Sequence, residues 1–220
     1  MSSSSPIAWT RFLLAWLALV LPLTAQGQLD GAWELLLDAD RDGELRGLAS
    51  GDDVPWADAL TVTVPGPWEV HPAAVGYDGV AWYRSKTTLE RPRLRTPRDA
   101  LIDGRLLLEF EGVNARADVW LEGRHLGRHD GADAPFAFDI TDAAGQEVTI
   151  VVRVVDPGHE PVDGLRLGAM PHAKESWYLN YGGITGSVRV RAAHPIEIRE
   201  HAVWVDDRGD LRAWLDVHNH

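Results

Sequence analysis

Hydrophobic and polar residues alternate along most of this 220-residue chain in short runs separated by Gly, Asp, Asn and Pro. Alternation with a period of two puts every second side chain on one face of a strand, which is typical of antiparallel sheets with one buried face. Helical periodicity is scarce. Many short strands joined by turns favour a β-sandwich or jelly roll. The pattern predicts strands at residues 32–37, 60–64, 81–89, 105–111, 117–121, 136–140, 148–155 and 187–191.

Two segments allow a more specific prediction. Residues 147–155 have Val or Ile at every even position, and Val151 stands among the odd ones, so this strand is expected in the centre of a sheet with both faces covered. Residues 118–127 are typical of a hairpin whose turn is Glu122-Gly123, because Gly tolerates the positive φ that such a turn needs.

A second unit is predicted to begin near Pro195. Residues 196–205 and 211–217 alternate as two strands around a turn at residues 206–209. A two-stranded hairpin is marginally stable alone, and its unpaired edges would expose Val203, Trp204 and Trp214 to aggregation.

The N-terminus has the features of a secretory signal. Arg11 is followed by an apolar segment at residues 12–23 and then by small or polar residues, so cleavage after Ala25 or Gly27 is expected. Twelve apolar residues are fewer than the roughly twenty needed to cross a bilayer, and an uncleaved signal anchor is the alternative. We expect an exported chain, periplasmic or extracellular. It has no cysteine, so a packed core must supply its stability.

The net charge of −12 argues against nucleic acid as a partner, because nucleic-acid binding requires clustered Lys and Arg. One local basic cluster is interrupted by two prolines and is interpreted as a solvated loop. Its members are Arg91, Arg93, Arg95 and Arg98.

Seven short motifs follow one another in a fixed order along the chain. They are Gly31-Ala-Trp33, Val64-Pro-Gly-Pro-Trp-Glu69, Gly79-Val-Ala-Trp-Tyr-Arg84, Phe110-Glu-Gly-Val-Asn114, Val119-Trp-Leu-Glu-Gly123, Pro135-Phe-Ala-Phe-Asp-Ile-Thr141 and Asn180-Tyr-Gly-Gly-Ile184. Together they resemble the N-terminal domain of family 2 glycoside hydrolases, the β-galactosidase and β-glucuronidase group.

The resemblance covers the chain from about Gly31 to its end and implies an all-β fold. We expect a signal peptide at residues 1–27 and a jelly-roll (galactose-binding-like) sugar-binding β-sandwich at residues 28–194. Residues 195–220 are expected to form the first hairpin of an immunoglobulin-like β-sandwich.

The resemblance implies retaining hydrolysis of a β-glycoside by a catalytic barrel that this chain does not contain. In the family the acid/base glutamate follows an asparagine, and none of Asn114, Asn180 or Asn219 precedes a Glu. We therefore expect no catalytic residue and no cofactor in these residues. The expected partners are a carbohydrate, the missing C-terminal barrel and a second copy of the chain in a homo-oligomer.

Four residues are candidates for sugar contact. Asn114 matches a family position near the sugar, and its amide can donate and accept hydrogen bonds; the alternative is a left-handed turn residue between two strands. A family aspartate that binds sugar hydroxyls falls here on Trp177, and Glu175 is the nearest carboxylate. Trp177 and Tyr178 could stack on a pyranose face or pack against the preceding strand.

Metal sites are weakly indicated. Asp38, Asp40 and Asp42, followed by Gly43, match the start of a calcium loop, but Ala49 stands where the bidentate Glu belongs, and a solvated turn is the preferred interpretation. The other pair with a metal-like spacing, His125 and His129, lies in the predicted hairpin, where residues i and i+4 need not converge, so no metal is expected there.

Two other functions remain open from the sequence. A non-catalytic carbohydrate-binding or sensor module would keep the sandwich without the barrel. The presence of Trp177 where the family has an aspartate slightly favours this alternative. A structural sandwich that mediates oligomer contacts is the third alternative.

Overall fold

The computed structural model describes residues 25–158, 160–166, 168 and 181–220. Their regular structure is β-strand, with single 3₁₀ turns at Leu48–Ser50, Val54–Trp56, Trp68–Val70, Pro72–Ala74 and Thr141–Ala143. Nothing helical in this described part has the length and apolar character needed to cross a bilayer. The strands, β1 to β14 in chain order, are Ala25–Gln28, Gly31–Leu37, Leu60–Val64, Gly79–Thr88, Arg93–Arg95, Leu101–Asp103, Arg105–Phe110, Arg116–Leu121, Arg124–Asp130, Phe136–Asp139, Glu147–Asp156, Val188–Ala193, Ile196–Val205 and Leu211–Asn219.

Two antiparallel sheets form the sandwich. One has the order β1-β12-β7-β10 and the other the order β3-β2-β4-β11-β8-β9. Alternate residues of both sheets turn inward and meet in a single large core. Its largest fully buried side chains include Trp33, Trp68, Tyr83 and Phe110. The prediction of an all-β sandwich is confirmed.

Strand β11 lies in the centre of the six-stranded sheet, between β4 and β8, as its sequence predicts. Val148, Ile150, Val152 and Val154 face the main core. Val151 packs in a second, smaller cluster on the outer face. The strand is therefore covered on both faces because loops close over the outer face of the sheet.

The outer face also carries buried charge. The Asp118 side chain is 5% exposed, accepts two hydrogen bonds from Arg128 at 2.9 and 3.0 Å, and lies 3.7 Å from Arg153. Arg84 binds both carboxylate oxygens of Glu34 at 2.6 and 2.9 Å. These pairs compensate the cost of burying charge in the second cluster.

Three short strands are not evident from the sequence pattern. β1 pairs with β12, and β5 pairs with β6 as a small ribbon. The ribbon contains Arg93 and Arg95, so the interpretation of this region as an irregular solvated loop is only half right: the side chains are largely exposed, but the backbone is paired. The turn at Glu122-Gly123 is confirmed, with φ of 49° and 72°.

Strands β13 and β14 form a separate two-stranded ribbon. The cross-strand register puts mainly aliphatic side chains on one face, including Ile198 opposite Val217 and Val203 opposite Ala213. Trp204 and Trp214 belong to the other face and are each 49% exposed. A bond from Arg105 to Glu197 at 3.0 Å ties the ribbon to β7. The division of the chain into domains stays a prediction.

Candidate functional site

Motifs that are far apart in the sequence meet at one end of the sandwich. We call residues 64–69 the proline loop and residues 181–184 the glycine segment. Pro65 and Pro67 lack amide donors, so Gly66 and Trp68 supply the loop's N–H groups. Gly66 donates to the Ile184 carbonyl at 2.8 Å, and Trp68 donates to the Gly182 carbonyl at 3.0 Å. The proline loop therefore binds one edge of the glycine segment as a neighbouring strand would.

Asn114 binds the other edge of the glycine segment. Its backbone N–H donates to the Gly183 carbonyl at 2.9 Å, and its carbonyl accepts from the Gly183 N–H at 3.1 Å. Its side-chain Nδ2 donates to the Tyr181 carbonyl. Asn114 has no positive φ and is 4% exposed, so the alternative of a left-handed turn residue is wrong. Asn114 thus forms an isolated β-bridge that joins two of the motifs.

Glu69 supplies a side-chain contact from the end of the proline loop. Its Oε1 accepts the Gly182 N–H at 2.9 Å. With this bond, the glycine segment has hydrogen bonds to its backbone from residues 66, 68, 69 and 114. Buried backbone groups need hydrogen-bond partners, and here two distant parts of the chain supply those partners.

The two glycines allow this close approach. A Cβ at Gly182 would lie 2.1 Å from Cζ2 of Trp68, and one at Gly183 would lie 2.6 Å from the Tyr83 hydroxyl. Gly183 also has φ of +123°, which side chains disfavour. The Gly-Gly pair is therefore required by packing against the proline loop and β4.

Three polar atoms around the glycine segment are buried and have no hydrogen-bond partner within the described structure. They are Glu69 Oε2, the Tyr83 hydroxyl and Asn114 Oδ1. Unpaired buried polar groups are costly, which makes the clustering of three of them around one segment notable. One acidic group, one phenol and one amide oxygen give the site hydrogen-bonding capacity that no described residue uses.

The electrostatics of the cluster follow from burial. Burial raises the pKa of Glu69, the Asp78 charge adds to the shift, and the hydrogen bond from Gly182 opposes it. Burial also raises the pKa of Tyr83, with a further contribution from Glu69. The proximity of the Ile184 backbone lowers the Tyr83 pKa and so opposes this rise. The Tyr83 hydroxyl does not, however, form a hydrogen bond of ordinary geometry with Ile184.

Of the predicted sugar-contact residues, only Asn114 lies in the described part of the chain. Glu175, Trp177 and Tyr178 lie outside the described residues and stay predictions. Neither Glu69 nor Tyr83 is among the residues predicted from the sequence to contact sugar. The available signal was that both are polar residues inside the shared motifs, where packing alone would favour apolar side chains.

The calcium candidates take part in a hydrogen-bonded turn. Asp38 Oδ1 accepts the Asp42 N–H at 3.0 Å, and Oδ2 accepts from Gly43 at 3.1 Å and from the Trp82 indole at 2.8 Å. Asp40 is exposed. This geometry supports the turn interpretation. The described residues contain no cluster of three or more His, Cys, Asp or Glu side chains that could hold a metal ion.

The two histidines with zinc-like spacing contact different layers. His125 lies 3.2 Å from Asp118 and packs beside Trp120 on the outer face. His129 stacks on Phe136, which packs against the main core, with ring centroids 4.2 Å apart. They do not converge.

Comparison with known proteins shows relatives among glycosidases. The chain is 30% identical over 123 residues to a β-glucuronidase of Formosa agariphila, covering 54% of this chain and 11% of the relative. It is 30% identical over 139 residues to a β-glucuronidase of Bacteroides fragilis, covering 60% and 18%. The chain thus matches less than a fifth of the length of these relatives. No protein-family model matches it.

Solved structures share the fold. A β-glucuronidase of an uncultured Clostridium sp. superimposes with a TM-score of 0.64 and 23% identity, covering 87% of this chain and 33% of that protein. The β-glucuronidase of Ruminococcus gnavus, solved with uronic isofagomine, gives a TM-score of 0.67 and 19% identity, covering 88% and 33%. The resemblance of this chain to the N-terminal domain of family 2 glycoside hydrolases, predicted from its motifs, is confirmed.

Proposed function

We propose that this chain is the N-terminal carbohydrate-binding part of an exported family 2-like glycoside hydrolase that acts on β-glycosides. The observation that carries the proposal is the convergence of the proline loop, Asn114 and the glycine segment, since motifs on which the resemblance rests form one site. The similarity to proteins called β-glucuronidases and β-galactosidases supports the substrate class.

In this proposal the chain binds and orients the sugar and does not cleave it. A retaining glycosidase needs two carboxyl groups about 5 to 5.5 Å apart, and we place both on a barrel outside these residues. Asn114 Oδ1 is an unused acceptor at the convergence point. Glu175, Trp177 and Tyr178 stand three to six residues before Tyr181 in the sequence, and we propose them as sugar contacts.

Export is part of the proposal and depends on the N-terminal signal. Residues 1–27 combine a basic residue, an apolar segment and small residues, and the last three of them belong to β1. We propose that the mature protein is periplasmic or extracellular, where polymeric carbohydrates are accessible to it.

The test is a paired binding and hydrolysis measurement on the chain of residues 1–220. The probes are 4-nitrophenyl β-D-glucuronide and 4-nitrophenyl β-D-galactoside. We expect saturable binding by calorimetry and no release of 4-nitrophenol. Trp177→Ala should weaken binding, whereas Trp204→Ala, on an exposed ribbon, should not. Hydrolysis by the chain alone would refute the placement of catalysis elsewhere, and an absence of binding would refute the carbohydrate role.

A second candidate function is a non-catalytic carbohydrate-binding or sensor module. The observation that favours it is Trp177 at the position of the family's sugar-binding aspartate. The reading frame beyond His220 separates the two: an Asn-Glu pair in a following β/α repeat supports the hydrolase, and a stop codon directly after His220 supports the module.

A further inference from the structure

A cavity of about 380 Å³ lies along β3, an edge strand of the six-stranded sheet. We call it the β3 groove; it is lined by residues 61–63, 65–67 and 70–72. Its volume falls within the roughly 300 to 1,000 Å³ of small-molecule pockets. The proline loop forms part of its wall, and the same loop binds the glycine segment through Gly66 and Trp68. The proline loop therefore belongs both to the β3 groove and to the convergence point, the place where the proline loop, Asn114 and the glycine segment meet.

The lining contains no Asp, Glu, Lys or Arg, in a chain of which 25% of the residues are charged. Glu69, which interrupts the lining in sequence, directs its carboxylate to Gly182 instead. A charged ligand would lose hydration here without gaining a counter-charge. The groove therefore favours a neutral ligand.

The apolar part of the lining suits a ligand with a C–H face. Pro65 and Pro72 are exposed, and Val70 is 79% exposed beside them. Proline rings are rigid, so this wall presents a fixed apolar surface without backbone donors at those positions. Covering such a surface removes apolar area from water.

The polar part of the lining suits hydroxyl groups. Thr61 and Thr63 are exposed, and a threonine hydroxyl can donate and accept. His71 Nδ1 accepts the Ala73 N–H at 3.2 Å, so a neutral ring carries its proton on Nε2 and has a donor left for a ligand. Three hydrogen-bonding side chains thus accompany the apolar wall.

We propose that the β3 groove is a second carbohydrate subsite that takes a neutral pyranose unit, with its C–H face on the proline and valine wall and its hydroxyls on Thr61, Thr63 and His71. This inference rests on the proposed function. It specifies the substrate class as an extended oligosaccharide that spans the groove and the convergence point. The competing occupant is an extended peptide that pairs with the free edge of β3. The peptide is disfavoured because Pro65 and Pro67, which follow β3 in the chain, have no N–H with which to continue the pairing.

The experiment is a titration of residues 1–220 followed by amide NMR. The probes are methyl β-D-glucopyranoside, which is neutral, methyl β-D-glucuronide, which is charged, and the peptide Thr-Val-Thr-Val. We expect the neutral glycoside to shift the amides of residues 61–63 and 70–72 and to bind there more tightly than the glucuronide. Peptide-induced shifts at β3 without shifts from the neutral glycoside would overturn the inference.

Two variants each remove one hydrogen-bonding group and keep the local fold intact. Thr63→Val is isosteric, and His71→Asn keeps an oxygen that can accept the Ala73 N–H. Each should weaken binding of the neutral glycoside about fivefold, the cost of one hydrogen bond. Thr88→Val and His201→Asn, on exposed positions of β4 and β13, are the matched controls and should leave it unchanged.

The outcomes separate this inference from the proposed function. Sugar-induced shifts confined to residues 181–184, with both groove variants unaffected, would overturn the second subsite and leave the proposed function standing. An absence of sugar-induced shifts anywhere would overturn both.

Discussion

The contact between Glu69 and the glycine segment gives the sharpest test of the site. Glu69→Ala removes the acceptor of the Gly182 N–H and leaves that donor without a partner at a tightly packed point. An unsatisfied buried donor costs about 1 to 3 kcal/mol. For a domain of this size, that corresponds to a fall in Tm of roughly 2 to 12 °C.

Glu69→Gln should behave differently. The amide keeps an oxygen for the Gly182 N–H but carries no charge, and it replaces the unpartnered Oε2 with a neutral group. Because burial raises the pKa of Glu69 in the folded state, its stabilising contribution is complete below the unfolded-state pKa and is lost as the pH rises through the folded value. The wild type should therefore lose stability relative to Glu69→Gln as the pH rises from about 4, the ordinary pKa of Glu, through the raised pKa of the folded state.

The assay is urea unfolding at several pH values, together with hydrogen exchange at the Gly182 amide. Exchange should accelerate in Glu69→Ala and stay slow in Glu69→Gln. Glu109→Gln tests the opposite sign: burial would raise the Glu109 pKa, but bonds from Arg191 and Arg189 lower it overall. These two ion pairs contribute stability above the unfolded-state pKa of Glu109, and this stability is lost as the pH falls through the folded-state pKa. If Glu69→Gln were as unstable as Glu69→Ala at pH 7, the neutral-acceptor reasoning would be refuted.

Three further predictions concern packing, charge and the C-terminal ribbon. Gly182→Ala should destabilise the fold by about 1 to 3 kcal/mol in urea, since the new methyl would overlap the indole of the proline loop, whereas Gly27→Ala, with open space around it, should cost far less. Asp118→Ala should cost about 1 to 3 kcal/mol, because Arg128 loses both bonds to the carboxylate while Arg153 keeps Asp163, and an unchanged midpoint would contradict the inferred pairing. Removal of residues 195–220 should lower aggregation in light scattering while the sandwich still unfolds cooperatively; unchanged scattering would show that the exposed ribbon is not the adhesive surface.

The strands that carry strong alternation are the ones that the sequence predicts well. β3 and β13 begin and end where the pattern places them, and the central position of β11 follows from Val or Ile at its even positions together with Val151 among the odd ones. The short strands β1, β5 and β6 escape prediction because three or four residues carry too little periodicity. Their pairing depends on partners that are distant in sequence or on a local turn.

The site is predicted less completely than the fold. Sugar contact by Asn114 stays a prediction, and its amide donor binds the carbonyl of Tyr181, a contact across 67 residues that no local pattern shows. The role of Glu69 depends on a hydrogen bond across 113 residues. Such contacts are consequences of tertiary packing. The motifs indicate which residues matter, and the packing determines what each residue contacts.

The order of strands in the four-stranded sheet sets a condition on folding. β12, the last strand of the sandwich in the sequence, lies in the interior of that sheet between β1 and β7. Until residues 188–193 are available, β1 has no partner and β7 pairs only with β10. Non-local pairing of this kind slows folding. A growing chain can assemble β4, β11 and β8 first, but the sandwich cannot close until nearly its whole length has been made.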